Sequence, residues 1–417
     1  MTRRLLSLLL LLTLFSLPTF SQSSLYEDVP ELSFAHLDRN HLIYPGDSLS
    51  MEHFFNKLDT ILFTGKGQVS IMHIGGSHVQ AGVFSQTMRD HLINLAPGLA
   101  SGRGLVFPFM KTNTPASYCI DRTGEWNYCR NAVAYDTRLG LAGASVTTSD
   151  TTASFSIVTR AKNPKPTTPS YDFNTVFILG YGSHDSIQPI IHFQDSLFYG
   201  DYDEEQECYK FSLPDYTDSL YVDFGGVPGT FTVTGVYLDN QTPGITYHGI
   251  GINGARVESY LSCENLERDL RLVNPDLVIF GIGINDAAAS GFTAEQFQRD
   301  YEMLIDIILD VNPNCALLFV TNNDSYKKIK KNKYQNNPNG AIAEKVFLQL
   351  GKEYNAAVWD FFDIMGGLTS MQQWQNAGLA QKDKIHFTNS GYALIGDLLY
   401  NALMERYTEH LRQTATR

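Results

Sequence analysis

Ser77 lies in IMHIGGSHVQAG, residues 71–82, just past an apolar run at 69–74 that reads as a buried strand. A serine hydroxyl becomes a nucleophile when a base takes its proton, and that base needs a carboxylate on its other nitrogen. DKIHFTNSGY, residues 383–392, holds both groups. Asp383, three residues before His386, can curl back to the imidazole Nδ1–H and leave Nε2 free for Ser77. FGIGIND, residues 280–286, follows a second buried strand and offers the Asn285 amide, a neutral donor suited to a developing oxyanion. GINGARVESY, residues 251–260, offers the Gly254 N–H ahead of a helix, and the Ser77 N–H makes a third donor. Singly each fragment is weak: Gly-Gly-Ser and Asn-Asp are common turns, Gly254 marks a plain loop-to-helix transition, and His386 could be a surface residue beside a helix cap. Together they fall at loops where a parallel α/β sheet binds its ligands, at strand carboxyl ends facing helix starts.

His73 and His78 flank the serine. His73 alternates with buried strand residues and reads as structural, while His78 can reach the cleft as a substrate contact. Neither has metal-ligand spacing, and HExxH, Walker and GxGxxG patterns are absent, so no cofactor or metal is expected.

The elements that must position these groups come in two textures. Over residues 49–95 and from 254 to the end, strands and amphipathic helices alternate. Helices are expected at 49–63, 82–95, 255–272, 341–354 and from 388 onward, with buried strands at 69–74, 277–281, 316–320 and 357–361. Thr293 and Gln296 form a capping-box pair ahead of Phe297, Tyr301, Leu304, Ile305 and Ile308, which recur at helical spacing. Continuous apolar strands between helices imply a parallel sheet covered on both faces. Between the two stretches the pattern turns to period two: Phe155 and Ile157, Leu220, Val222 and Phe224, and Phe231 and Val233 alternate with Ser, Thr, Tyr or Asp. With Gly and Pro punctuation this predicts an antiparallel β-sandwich inserted into an α/β domain.

The chain has 417 residues, 43% of them hydrophobic, enough for two cores. Its net charge of −13 argues against a nucleic-acid partner, since phosphate binding needs clustered Lys and Arg. One basic run, residues 327–333, reads as a solvated loop because nothing near it in the sequence is basic. Arg3 and Arg4, an apolar run at 5–17 and small residues at 18–21 read as a signal peptide, so an exported protein, periplasmic or extracellular, is expected. No later segment is apolar enough to span a membrane. Of the five cysteines, Cys119 and Cys129 flank a short aromatic stretch and could be bridged or free; Cys208, Cys263 and Cys315 look solitary.

In their order and types, the four fragments resemble the blocks of SGNH (GDSL-like) hydrolases. The resemblance implies a flavodoxin-like three-layer α/β/α domain with a parallel sheet, residues 22–103 plus 248–417 after a signal at 1–21, interrupted by an inserted antiparallel β-sandwich at 104–247. It implies Ser77, Asp383 and His386 as catalytic residues, Ser77, Gly254 and Asn285 as the oxyanion hole, and a serine esterase without cofactor. Gly76 stands where the family's commonest G-D-S pattern has Asp. AVWDFFDIMGGLTSMQQWQNAGLAQKDKIHF, residues 357–387, resembles more narrowly the C-terminal segment of peptidoglycan O-acetylesterases, through Met365-Gly366-Gly367, Ser370-Met371 and Trp374. That implies an acetylated glycan, peptidoglycan among the candidates, as partner. Trp374 is a candidate sugar platform, although a packing role is the commoner fate of such a residue. The alternatives are an acetyl esterase for other polysaccharides, a lipid esterase, and a non-catalytic glycan-binding protein with a decayed hydrolase site.

Overall fold

The computed structural model describes residues 25–109, 117–160, 171–330 and 333–416, so the expected signal at 1–21 lies outside the described residues. Its central sheet has six strands: β1 (Leu42–Ile43), β2 (Gln68–Gly75), β3 (Gly244–Gly251), β4 (Leu277–Gly281), β5 (Ala316–Val320) and β6 (Ala357–Trp359). They lie in the order β1-β6-β5-β4-β2-β3, all parallel except β1, which runs antiparallel on the β6 edge. The apolar runs form inner strands because both faces are covered. Leu277, Val278, Ile279 and Phe280 are all fully buried, and successive side chains enter opposite cores.

Helices Glu52–Thr64, Val83–Ile93 and Asn389–Ala415 cover one face, where Phe54, Met88 and Leu398 meet Ile71 and Ile279. Helices Leu266–Val273, Ala294–Val311 and Asn339–Glu353 cover the other, where Leu270, Tyr301 and Phe347 meet Met72 and Phe280. This is the flavodoxin-like three-layer arrangement expected from the sequence. Among the described residues no helix is long and apolar enough to cross a membrane.

Between helix Val83–Ile93 and β3 the chain builds two antiparallel sheets, one of five strands and one of seven. Phe155, Ile157, Leu220, Val222, Phe231 and Val233 are buried between them, as the period-two pattern requires. Thr232 and Thr234 are buried too, where alternation placed them outside. The reason is coverage: Thr232 hydrogen-bonds Thr147 at 2.8 Å, and Arg268 of helix Leu266–Val273 lies over Thr234 at 3.4 Å. The two parts are pinned further by Leu141 N–H to Asp269 at 2.8 Å and Asn265 N–H to the Leu139 carbonyl at 2.9 Å.

Two local expectations are corrected and one open alternative is decided. The single helix over 255–272 is two, Val257–Leu261 and Leu266–Val273, because Leu139 pairs with Asn265 at the break. Only half of the capping box forms: Thr293 accepts from the Gln296 N–H, but the Gln296 amide turns to Asp300 at 2.7 Å. Cys119 and Cys129 are free thiols, standing in strands Cys119–Thr123 and Asn127–Arg130 of different sheets.

Candidate active site

β2 ends in Gly75-Gly76, and Ser77 begins the short helix Ser77–Gln80. That helix sits directly on the sheet, which works because its floor has no side chains. A Cβ at Gly251 would lie 2.4 Å from the Gln80 nitrogen, and one at Gly75 2.4 Å from Val79 Cγ2. As the first helical residue, Ser77 has an N–H with no partner within its helix.

The opposite wall is the loop between Ala380 and Phe387, which bridge each other as an isolated antiparallel pair. Gln381 N–H donates to the His386 carbonyl at 2.8 Å, and Asp383 Oδ1 accepts from the N–H groups of Ile385 and His386, both at 3.0 Å. The tight turn that results leaves Asp383 Oδ2 2.7 Å from His386 Nδ1. His386 Nε2 lies 2.8 Å from Ser77 Oγ. A carboxylate can only accept, so Nδ1 carries the ring proton, Nε2 is a bare lone pair, and the Ser77 hydroxyl donates to it. Burial would raise the Asp383 carboxyl, but the hydrogen bonds from the His386 ring and from the two backbone N–H groups outweigh it and bring the carboxyl down to about 2. It is therefore ionised wherever the imidazole needs a counter-charge.

Asn285 stands beside the residue before the serine and holds the turn that contains Gly254. Asn285 Nδ2 donates to the Ala255 carbonyl at 2.9 Å, and a Cβ at Gly76 would stand 3.2 Å from that same nitrogen. A side chain at position 76 would therefore press on the Asn285 amide. Gly254 has φ +86°, a left-handed conformation that favours glycine. Its turn is held from two sides: Asn253 N–H donates to Gln80 Oε1 of the serine's helix, and the Asn253 carbonyl accepts from Arg130 at 3.2 Å. Arg130 belongs to the inserted sheets, so the insert helps set this turn. A groove of about 480 Å³ opens here between Asn131–Ala134 of the insert and Gly254, Arg256 and Ser259.

Of the two expected substrate contacts, Trp374 is placed otherwise. Trp374 is fully buried: its Nε1 donates to the Met365 carbonyl at 3.0 Å and its ring packs on Phe387 and Phe361. It supports the His386 loop from below and offers no face to a sugar. His78 lies 2.8 Å from the Tyr392 hydroxyl, with its ring 5.3 Å from that of His386, and lines a small pocket with Asn322, Asn323 and Phe387. Burial, with a smaller push from His386, lowers His78 to about 3 and keeps it neutral. His73 is structural as expected, buried and 2.9 Å from the Tyr247 hydroxyl.

Gln80, Arg130, Asp286 and Asn323 were not legible as site residues. Asp286 is buried and accepts from the Val257 N–H at 3.2 Å, tying the Asn285 loop to the helix after Gly254. Asn323 donates to the Ile385 carbonyl at 3.1 Å. The Asp beside Asn285 in FGIGIND was the one available signal; the others act through contacts over long sequence separations. Among the described residues no group of three His, Cys, Asp or Glu could hold a metal ion.

A family model described as the GDSL-like lipase/acylhydrolase family matches residues 195–394, a span that holds Gly254, Asn285, Asp383 and His386 and begins after Ser77. No curated protein matches. The fold is similar to a solved structure described as a peptidoglycan O-acetylesterase, with a TM-score of 0.73 at 19% identity, covering 88% of this chain and 99% of the other. An acetyl xylan esterase structure is 22% identical with a TM-score of 0.31, over 38% of this chain and 81% of that one. A family two carbohydrate esterase from Cellvibrio japonicus is 11% identical with a TM-score of 0.27, over 69% and 99%. The latter two superpose too loosely to inform the fold.

Proposed function

We propose that this chain, matched over residues 195–394 by the GDSL-like lipase/acylhydrolase family, is an acyl esterase of the SGNH (GDSL-like) hydrolase superfamily, and more narrowly an exported serine esterase removing O-acetyl or other short acyl groups from a glycan. The observation that carries this reading is the unbroken relay of 2.8 Å from Ser77 Oγ to His386 Nε2 and 2.7 Å from His386 Nδ1 to Asp383. His386 takes the hydroxyl proton as Ser77 Oγ bonds to the ester carbonyl carbon. The carbonyl oxygen becomes an oxyanion, received by the Ser77 and Gly254 N–H groups and the Asn285 amide, and the imidazolium rests against the ionised Asp383. His386 returns its proton to the departing sugar hydroxyl, leaving an acyl-Ser77. Water, deprotonated by the same Nε2, then releases the acid and restores the serine.

An O-acetylated glycan, with peptidoglycan as the leading candidate, is supported by the open groove beside Gly254 and by the named activity of the enzyme whose fold this chain resembles. Export is supported by Arg3, Arg4 and the apolar run at 5–17. Acetate release from a chromogenic acetate ester tests the enzymatic core. Ser77→Ala should lower turnover by about 10⁴-fold or more. Equal rates for both proteins would end the assignment of Ser77, and a wild type inactive on esters but retained by glycan would favour the binding-protein reading.

A further inference from the structure

The basic run that reads in sequence as an isolated solvated loop does not stand alone in space. Residues Tyr326–Lys330 and Lys333–Asn336 form an antiparallel hairpin between β5 and helix Asn339–Glu353. Its base is stitched to the catalytic loop: Tyr326 N–H donates to the Lys384 carbonyl at 3.1 Å, and Asn323, just ahead of it, holds the Ile385 carbonyl. The register pairs Tyr326 with Asn336 and Lys328 with Tyr334, so Tyr326, Lys328 and Tyr334 share one face. The Lys384 ammonium lies over that face, 4.7 Å from the Tyr326 ring and 5.6 Å from the Tyr334 ring.

Two features of this cluster are unfavourable in themselves, and a third leaves its charge open to an anion. Lys330 and Lys333 stand directly opposite each other across the strands, a like-charge pairing that destabilises a hairpin. Lys384, between Asp383 and His386, adopts φ +59°, where a glycine would carry no strain. Lys328, Lys330 and Lys333 are exposed, and neither they nor Lys384 are in an ion pair among the described residues. In a chain of net charge −13, the rest of which repels acidic polymers, this cluster adjoins the reacting groups.

We propose that the lysine hairpin and Lys384 form a cationic arm that holds a carboxylate of the glycan, so that the enzyme acts on acidic O-acetylated glycans in preference to neutral ones. This rests on the esterase reading and narrows its substrate class. Tyr326 and Tyr334 hold the Lys384 ammonium in place, and it meets the carboxylates together with the hairpin lysines.

The test compares O-acetylated polygalacturonate with O-acetylated xylan, for wild type and for the Lys328→Gln, Lys330→Gln, Lys333→Gln triple variant, together with binding of deacetylated polygalacturonate. At about 20 mM salt the wild type should prefer the acidic polymer by roughly tenfold in kcat/KM, and most of that preference should vanish at about 0.5 M salt. In the triple variant KM on the acidic polymer should rise, bringing the ratio near unity. A triple variant that keeps the wild-type ratio and salt response overturns the proposal. If the wild type cleaves neither polymer nor a chromogenic acetate, it is the esterase reading that fails. Loss of polygalacturonate binding in the triple variant would then still uphold the arm, and undiminished binding would refute it.

Discussion

The two walls of the active site are built by different means. On the serine side, backbone packs on backbone: helix Ser77–Gln80 sits on Gly75 and Gly251 with no room for a methyl group, and the Gly254 turn is held by Gln80. On the histidine side, a half-exposed loop is held by side chains, with Asp383 capping its own turn, Phe387 resting on Trp374, and Lys384 lying on two tyrosines. The serine wall must present an N–H and a hydroxyl at one fixed point, which suits close-packed main chain. In the proposed mechanism the histidine wall passes a proton both ways, which needs a correct tautomer more than an immovable backbone.

Breaking the histidine wall by charge alone should have the largest effect. Asp383→Asn keeps the turn but removes the acceptor that fixes the proton on Nδ1, and kcat on an acetate ester should fall by about 10⁴-fold. A variant within tenfold of wild type would show that His386 finds its tautomer without Asp383.

Breaking the serine wall by a single methyl should come next. In Gly251→Ala the new Cβ meets the Gln80 nitrogen and the Gly76 carbonyl, so the serine helix must lift from the sheet. Displacement on this scale costs about 10²-fold in kcat, with about 1–3 kcal/mol of stability lost to overpacking. Thermal melts and steady-state kinetics on the same sample separate the two. Unchanged kinetics would mean that the serine wall tolerates movement as the other wall does.

The smallest effect sharpens the contrast through pH. Burial raises the Asp286 carboxyl to about 7, partly opposed by the Val257 N–H it accepts. The folded protein therefore favours the protonated acid: its contribution to stability is complete below about pH 4 and is lost as pH rises through 7. Asp286→Asn keeps an acceptor for Val257 and removes the titration. From pH 5 to 8 the melting temperature of the wild type should decline relative to that of the variant by about 2–4 °C. Parallel curves would show that Asp286 ionises without penalty.

Much of the central sheet was legible because four strands are buried on both faces, and that burial writes itself as continuous apolar runs, as in Leu277–Gly281. The relay residues were legible because each stands at a loop beside a strand end or helix start, and Asp383 with His386 is a local pair. Trp374 was harder: an aromatic near a site has the same letter whether it faces sugar or core, and only packing against Phe387 tells which. Gln80 and Arg130 carry no local pattern, since each meets Asn253 across more than a hundred residues of chain.

By itself, then, the amino-acid order determined the element types, the insertion of a period-two region into an alternating one, and the chemistry of the Ser, His, Asp and Asn side chains, all of which follow from local spacing. The tertiary structure alone decided that Lys384 meets a lysine hairpin, that the insert reaches the Gly254 turn, and that the helix over 255–272 breaks in two. Those outcomes depend on which distant surfaces come together, and contact between distant segments leaves no periodic trace in either one.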